Sequence, residues 1–167
     1  ISYYDVSFNN GNVAAFVGRS IREGENNYYY SGGVHYGTYV YTYGVAQCYE
    51  AKANPDGAEV LTGVGFHTLS SGIGYQVQVY RNPVMVDGVV KDPTSGEPVW
   101  EEAESGETSF AGYHTIEFSN EVPVEEGDWF SVVISFDKSV ELFMDTTFSM
   151  SNGYEYVYES VNVANPG

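Results

Sequence analysis

From Phe110 to Phe136 the chain reads FAGYHTIEFSNEVPVEEGDWFSVVISF, and its apolar residues recur at alternate positions. Phe130, Val132, Ile134 and Phe136 fall on one face, with Trp129, Ser131, Val133 and Ser135 on the other. A period of two belongs to an extended strand with one face on a core. The first half alternates less cleanly: Gly112, His114, Ile116 and Phe118 oppose Tyr113, Thr115 and Glu117. Between the halves lie Pro123 and the run Glu125-Glu126-Gly127-Asp128, residues that stop a strand and redirect the chain. The stretch therefore reads as a pair of strands joined by a short turn, with the Phe130 face inward.

The same reading extends along the chain. Short strands are expected at Ile1 to Asp5, Val13 to Val17, Val45 to Lys52, Val140 to Met144 and Tyr154 to Val157. A longer one is expected from Glu59 to Leu69, with Val60, Thr62, Val64 and Phe66 on one face. Tyr75 to Tyr80 places Tyr75, Val77 and Val79 inward and Gln76 and Gln78 outward. Asn54-Pro55-Asp56-Gly57 marks a turn, and Asp87-Gly88 between Val84-Met85-Val86 and Val89-Val90 marks a two-residue hairpin. Residues 21–27, 92–98 and the acidic run 101–107 read as loops. No window sustains a helical period, and 16 tyrosines with 19 glycines suit strands and turns. The expected fold is all-β: a β-sandwich of jelly-roll type, about ten short antiparallel strands in one domain of 167 residues.

Charge narrows the partners. The net charge is −17, from 23 acidic residues against six basic ones. Phosphate backbones and anionic membranes repel such a chain, so neither nucleic acid nor membrane is an expected partner. No apolar run approaches the roughly 18–20 residues of a membrane span. The acidity would suit calcium, which takes oxygen ligands, although no motif implies a cofactor. Cys48 is the single cysteine, so an intrachain disulfide is ruled out, and its strand context predicts a small buried residue. The chain begins at Ile1 without a methionine and is read as a processed or excised piece.

Catalytic signatures are missing. Gly-x-Ser-x-Gly, the phosphate loop and His-Glu-x-x-His do not occur. The pairs Glu101-Glu102 and Glu125-Glu126 sit side by side, whereas glycoside hydrolysis needs carboxylates held across a scissile bond. His67 and His114 occupy echoing pentads, Gly65-Phe66-His67-Thr68-Leu69 and Gly112-Tyr113-His114-Thr115-Ile116. Neighbouring strands would let these imidazoles meet, but neither pentad offers the further ligands zinc needs. Each histidine is expected to bond a loop backbone or an adjacent strand. The binding candidates are aromatic: Trp129 and Trp100 beside turns, Tyr113, and Tyr39 and Tyr41 from the tyrosine-rich stretch Tyr28 to Tyr43. An exposed ring stacks on the apolar face of a pyranose. The competing reading makes each ring an edge cap on the core.

One ordered series carries a resemblance. It runs through Val60-Leu61-Thr62-Gly63-Val64-Gly65-Phe66-His67-Thr68, Tyr75-Gln76-Val77-Gln78-Val79-Tyr80, Pro93-Thr94-Ser95-Gly96, Ala111-Gly112-Tyr113-His114-Thr115-Ile116 and Gly127-Asp128-Trp129-Phe130-Ser131-Val132-Val133. Over roughly residues 28–150 it resembles the lectin-like domain that follows the catalytic domain in secreted papain-like cysteine peptidases and surface proteins of anaerobic bacteria and archaea. Ile1-Ser2-Tyr3-Tyr4-Asp5 is similar to the last strand of that catalytic domain. The resemblance implies that residues 1–27 end a papain-like domain and that 28–167 form the lectin-like sandwich. Family members usually add one strand after the loop corresponding to Ala164-Asn165-Pro166-Gly167, so a final strand is expected to be missing or supplied by another piece. The catalytic residues of such a peptidase would lie upstream, and Cys48 is not its nucleophile. The implied function is non-catalytic: an extracellular or cell-surface module that binds a carbohydrate or cell-surface ligand. The alternative is a structural partner that packs on the upstream peptidase domain and stabilises or restricts it.

Overall fold

A computed structural model describes residue 28 and residues 37–52, 59–145, 149–151 and 155–157, with only the backbone described for 37–40, 143–145, 149–151 and 155–157. The strands expected at 1–5 and 13–17, the loop at 21–27 and the turn at 54–57 lie outside the described residues. Within them the chain forms β1 (Gly37–Glu50), β2 (Glu59–Thr68), β3 (Gly74–Arg81), β4 (Met85–Val86), β5 (Val89–Val90), β6 (Glu97–Pro98), β7 (Glu104–Glu107), β8 (Gly112–Val124), β9 (Trp129–Asp145), β10 (Ser149–Ser151) and β11 (Glu155–Val157). Every pairing is antiparallel.

Two layers make the sandwich. The larger is a five-stranded sheet ordered β1-β9-β3-β6, with β7 also on β3. The smaller is the β2–β8 pair. Between them Phe66, Phe118, Val122 and Val124 meet Val77, Val79, Phe130, Ile134, Phe136, Val140 and Leu142. Val77, Val79 and Val122 are fully buried, and removing each such side chain from water contributes about 1.5–3 kcal/mol. The expected inward faces of β3 and β9 are the faces found, and β8 turns the face of His114, Ile116 and Phe118 inward. The Asp87-Gly88 hairpin also forms: both residues have positive φ, 54° and 76°, as a type I′ turn requires.

The joined strands 110–136 are not a hydrogen-bonded pair, contrary to the sequence reading. β8 pairs with β2 and β9 with β1 and β3, so the turn carries the chain from one layer to the other. That turn is tied down. Asp128 N donates to Glu125 O at 3.0 Å, Gly127 N donates to Ala51 O at 3.0 Å, and Ala51 N donates to Asp128 O at 2.8 Å. Gly127 takes φ +86°, which only glycine adopts without strain.

Two irregularities correct other expectations. In β2 the register shifts between Leu61 and Gly63, opposite Val122 and Glu117. Leu61 and Val64 both turn inward as a result, and Val60 and Thr62 turn outward. Across the bulge the Glu104 carboxylate accepts hydrogen bonds from Ser119 N at 2.8 Å and Ser119 Oγ at 3.0 Å. In β9 the expected separate strand at 140–144 is continuous with 129–136. A register shift opposite Thr42 and Gly44 accommodates the extra residues. The expected loops at 92–98 and 101–107 contain the short edge strands β6 and β7.

Candidate functional site

β2 and β8 bring the two histidine pentads into register, Phe66 opposite His114 and His67 opposite Tyr113. Because side chains alternate, the imidazoles take opposite faces of the layer. His114 points inward between the rings of Phe66, at 5.5 Å, and Phe110, at 4.6 Å. Its Nε2 lies 3.1 Å from the hydroxyl of Thr68, which itself donates to Ser70 O at 3.0 Å. A hydroxyl has one proton, so Nε2 of His114 is the donor in that pair. This is a satisfied structural histidine. Among the described residues no three side chains of His, Cys, Asp or Glu converge as metal ligands would.

The outward face of the same layer is different. Tyr113, Thr115 and Glu117 stand on it at alternate positions of β8, all exposed, with Tyr113 at 65%. Opposite Thr115 and Glu117, β2 presents Gly65 and Gly63. Each glycine has its own cause. A Cβ on Gly63 would come within 2.6 Å of Ile116 O, and one on Gly65 would collide with the Tyr113 phenol. The Tyr113 ring thus lies diagonally across bare backbone, a reach open to aromatic side chains on a sheet. The result is one exposed ring, a hydroxyl and a carboxylate in a line, with the bare backbone of Gly65 and Gly63 beside the last two and the exposed His67 in register with the ring.

The other aromatic candidates are not gathered there. The Trp100 ring packs on Phe118, with centroids 4.9 Å apart, and is half-buried against the core. Trp129 is half-buried at the start of β9, in register with Glu50, and its carbonyl accepts from Asn82 N at 2.8 Å. Tyr41 is 74% exposed on β1, in register with Glu141, whose carboxylate pushes the phenol pKa up. Nine residues of strand, about 30 Å, separate Tyr41 from the Glu50 end of β1. The Tyr39 side chain lies outside the described residues. Cys48 is 2% exposed, and burial pushes its thiol pKa up, the opposite of an activated nucleophile.

Comparison with known proteins accords with this architecture. Residues 28–163 match the model of the lectin-like domain family, and the chain belongs to that family. Residues 28–163 are thus the non-catalytic kind of module and not a peptidase domain. Two similar solved structures are both of the clostridial cysteine protease Cwp84. One, a single-residue variant after propeptide cleavage, is 25% identical over 74% of this chain and 28% of its own, with a TM-score of 0.49. The other holds the cysteine protease and lectin-like domains of Cwp84, a surface layer associated protein of Clostridium difficile. It is 24% identical over 73% of this chain and 25% of its own, with a TM-score of 0.48. The chain therefore spans about a quarter of the length of the proteins it is matched to. A comparison with curated protein sequences finds no match.

Proposed function

We propose that the chain is a carbohydrate-binding module of an extracellular or cell-surface protein, and that it binds at the outward face of β2–β8. The supporting observation is the Tyr113 ring, 65% exposed and laid over Gly65. A large aromatic side chain with one face in water and no core to fill is suited to stack on a pyranose. Thr115 and Glu117 supply a hydroxyl and a carboxylate along the same line, groups that hydrogen-bond sugar hydroxyls. Membership of the lectin-like family supports the reading without establishing it, since fold and function separate readily. Beside a peptidase domain, as the sequence resemblance implies, the module would hold that enzyme at a glycan-bearing surface.

The test is a glycan array followed by calorimetry, with and without calcium, on the chain and on Tyr113→Ala. Binding by the chain and its loss in the variant, with an unchanged thermal midpoint, is expected. Retained affinity in Tyr113→Ala would move the site elsewhere, and no binding to any glycan would end the reading.

A further inference from the structure

The fixed charges of this face are carboxylates, and among the described residues its one titratable base is the exposed imidazole of His67, in register with Tyr113. Glu117 and Glu121 are exposed on β8, and the Glu104 carboxylate is held against Ser119 beside them. Neither β2 nor β8 contains a lysine or an arginine. Of the six cations, Lys52, Arg81, Lys91 and Lys138 lie among the described residues. Three of them are engaged elsewhere. Lys52 Nζ sits 5.2 Å over the Tyr28 ring, Lys138 Nζ donates to Gly72 O, and Arg81 Nη2 donates to Pro123 O at 2.8 Å. Arg81 is the cation that touches β8, and it does so ten residues along the strand from Tyr113. That is about 30 Å of extended chain, nearly four screening lengths at physiological salt.

An oligosaccharide stacked on Tyr113 and laid along β8 passes Thr115 and then Glu117, which stands about 13 Å from Tyr113. A carboxylate-bearing sugar beside Glu117 meets like charge, and the cation placed on this strand, Arg81 at Pro123, lies six residues, about 20 Å, beyond Glu117. A neutral sugar meets hydrogen-bond acceptors, and a protonated amine meets a charge partner. Resting on the carbohydrate reading above, we propose that this face takes neutral or amine-bearing sugars and rejects anionic ones, with Glu117 as the residue that reads the charge.

The probe is an array of neutral, amine-bearing and carboxylate-bearing oligosaccharides at neutral pH, run on the chain and on His67→Asn so that the imidazole opposite Tyr113 cannot set the preference. Binding is expected to the first two classes and not the third. Glu117→Gln is expected to lower affinity for amine-bearing members about two- to fivefold, the range of one exposed charge pair, and to leave neutral members unchanged. High salt should shrink the same preference in the unaltered chain. Glu117 is exposed, so an unchanged thermal midpoint keeps misfolding out of the comparison. Carboxylate-bearing glycans bound as tightly as neutral ones, or an amine preference that survives Glu117→Gln, overturns the charge reading and leaves the sugar-binding reading standing. Binding to no class overturns both.

Discussion

Thr68→Val tests whether the inner end of the β2–β8 layer depends on one hydroxyl. Thr68 is fully buried, and its oxygen serves two partners, donating to Ser70 O at 3.0 Å and accepting from His114 Nε2 at 3.1 Å. Valine keeps the shape and removes both bonds. Each lost bond costs about 0.5–1.5 kcal/mol, and a buried imidazole N–H left without an acceptor costs about 1–3 kcal/mol. The expected loss is about 2–4 kcal/mol, read as a lower urea midpoint at unchanged slope. Thr68→Ser retains the hydroxyl and should recover most of it. His114→Phe keeps a ring between Phe66 and Phe110 while removing the donor, so the Thr68→Val and His114→Phe changes should not add. A coupling of about 1 kcal/mol or more is expected from that cycle. Long-range nitrogen–proton NMR should find the proton on Nε2 of His114. A Thr68→Val protein within about 0.5 kcal/mol of the parent, or strictly additive changes, would refute the account of this pair.

Gly65→Ala should displace the Tyr113 ring from the face, lowering glycan affinity while costing about 1 kcal/mol or less, because the displaced ring is exposed; a binding isotherm with a denaturation curve checks both. Cys48 should resist thiol reagents in the folded protein and react at the rate of unfolding, which a thiol-titration time course in increasing urea would show. The Tyr28 phenol, pushed up to about 12 by burial and by its hydrogen bond to Glu59, favours its neutral form in the fold. An unfolded tyrosine loses its proton near pH 10, so this contribution is complete below about pH 10 and is lost as pH rises through about 12. Alkaline denaturation of Tyr28→Phe should lack that component. Phe130→Ala removes a 2%-exposed ring that contacts Tyr28 and Tyr49, and a loss of about 3–5 kcal/mol is expected in urea.

The sequence reading succeeded where local chemistry and tertiary demand agree. Val77 and Val79 alternate with glutamines because that sheet has a wet face and a dry one, and Asp87-Gly88 suits positive φ whatever surrounds it. It failed where distant strands decide. Nothing local to Leu61 announces that β8 will bulge opposite it, yet that bulge sends Val60 to solvent at 47% exposure. β7 reads Glu-Ser-Gly-Glu, a poor strand by propensity, and is one because β3 offers it an edge. The turn after β8 resembles a hairpin loop; its bonds to Ala51, far away in sequence, make it a crossing between layers. Of the candidate site, Tyr113 was legible as an outward ring. The glycine floor was not recognised, although Thr62-Gly63-Val64-Gly65 carries its signal, since alternate glycines in a strand mark a place where something lies close.

The position of β9 between β1 and β3 has a consequence for how the protein is made. Synthesis delivers β1 and β3 well before β9, and neither can complete its ladder in the larger sheet until β9 arrives. β2 likewise waits for β8. Nearly all the stabilising pairings therefore join segments far apart in sequence, the arrangement that slows folding and leaves apolar strands uncovered on the way. β1 and β2 must wait for β9 and β8 before their ladders form, and the strong negative charge, by keeping unfinished copies apart, would be of most use during that interval.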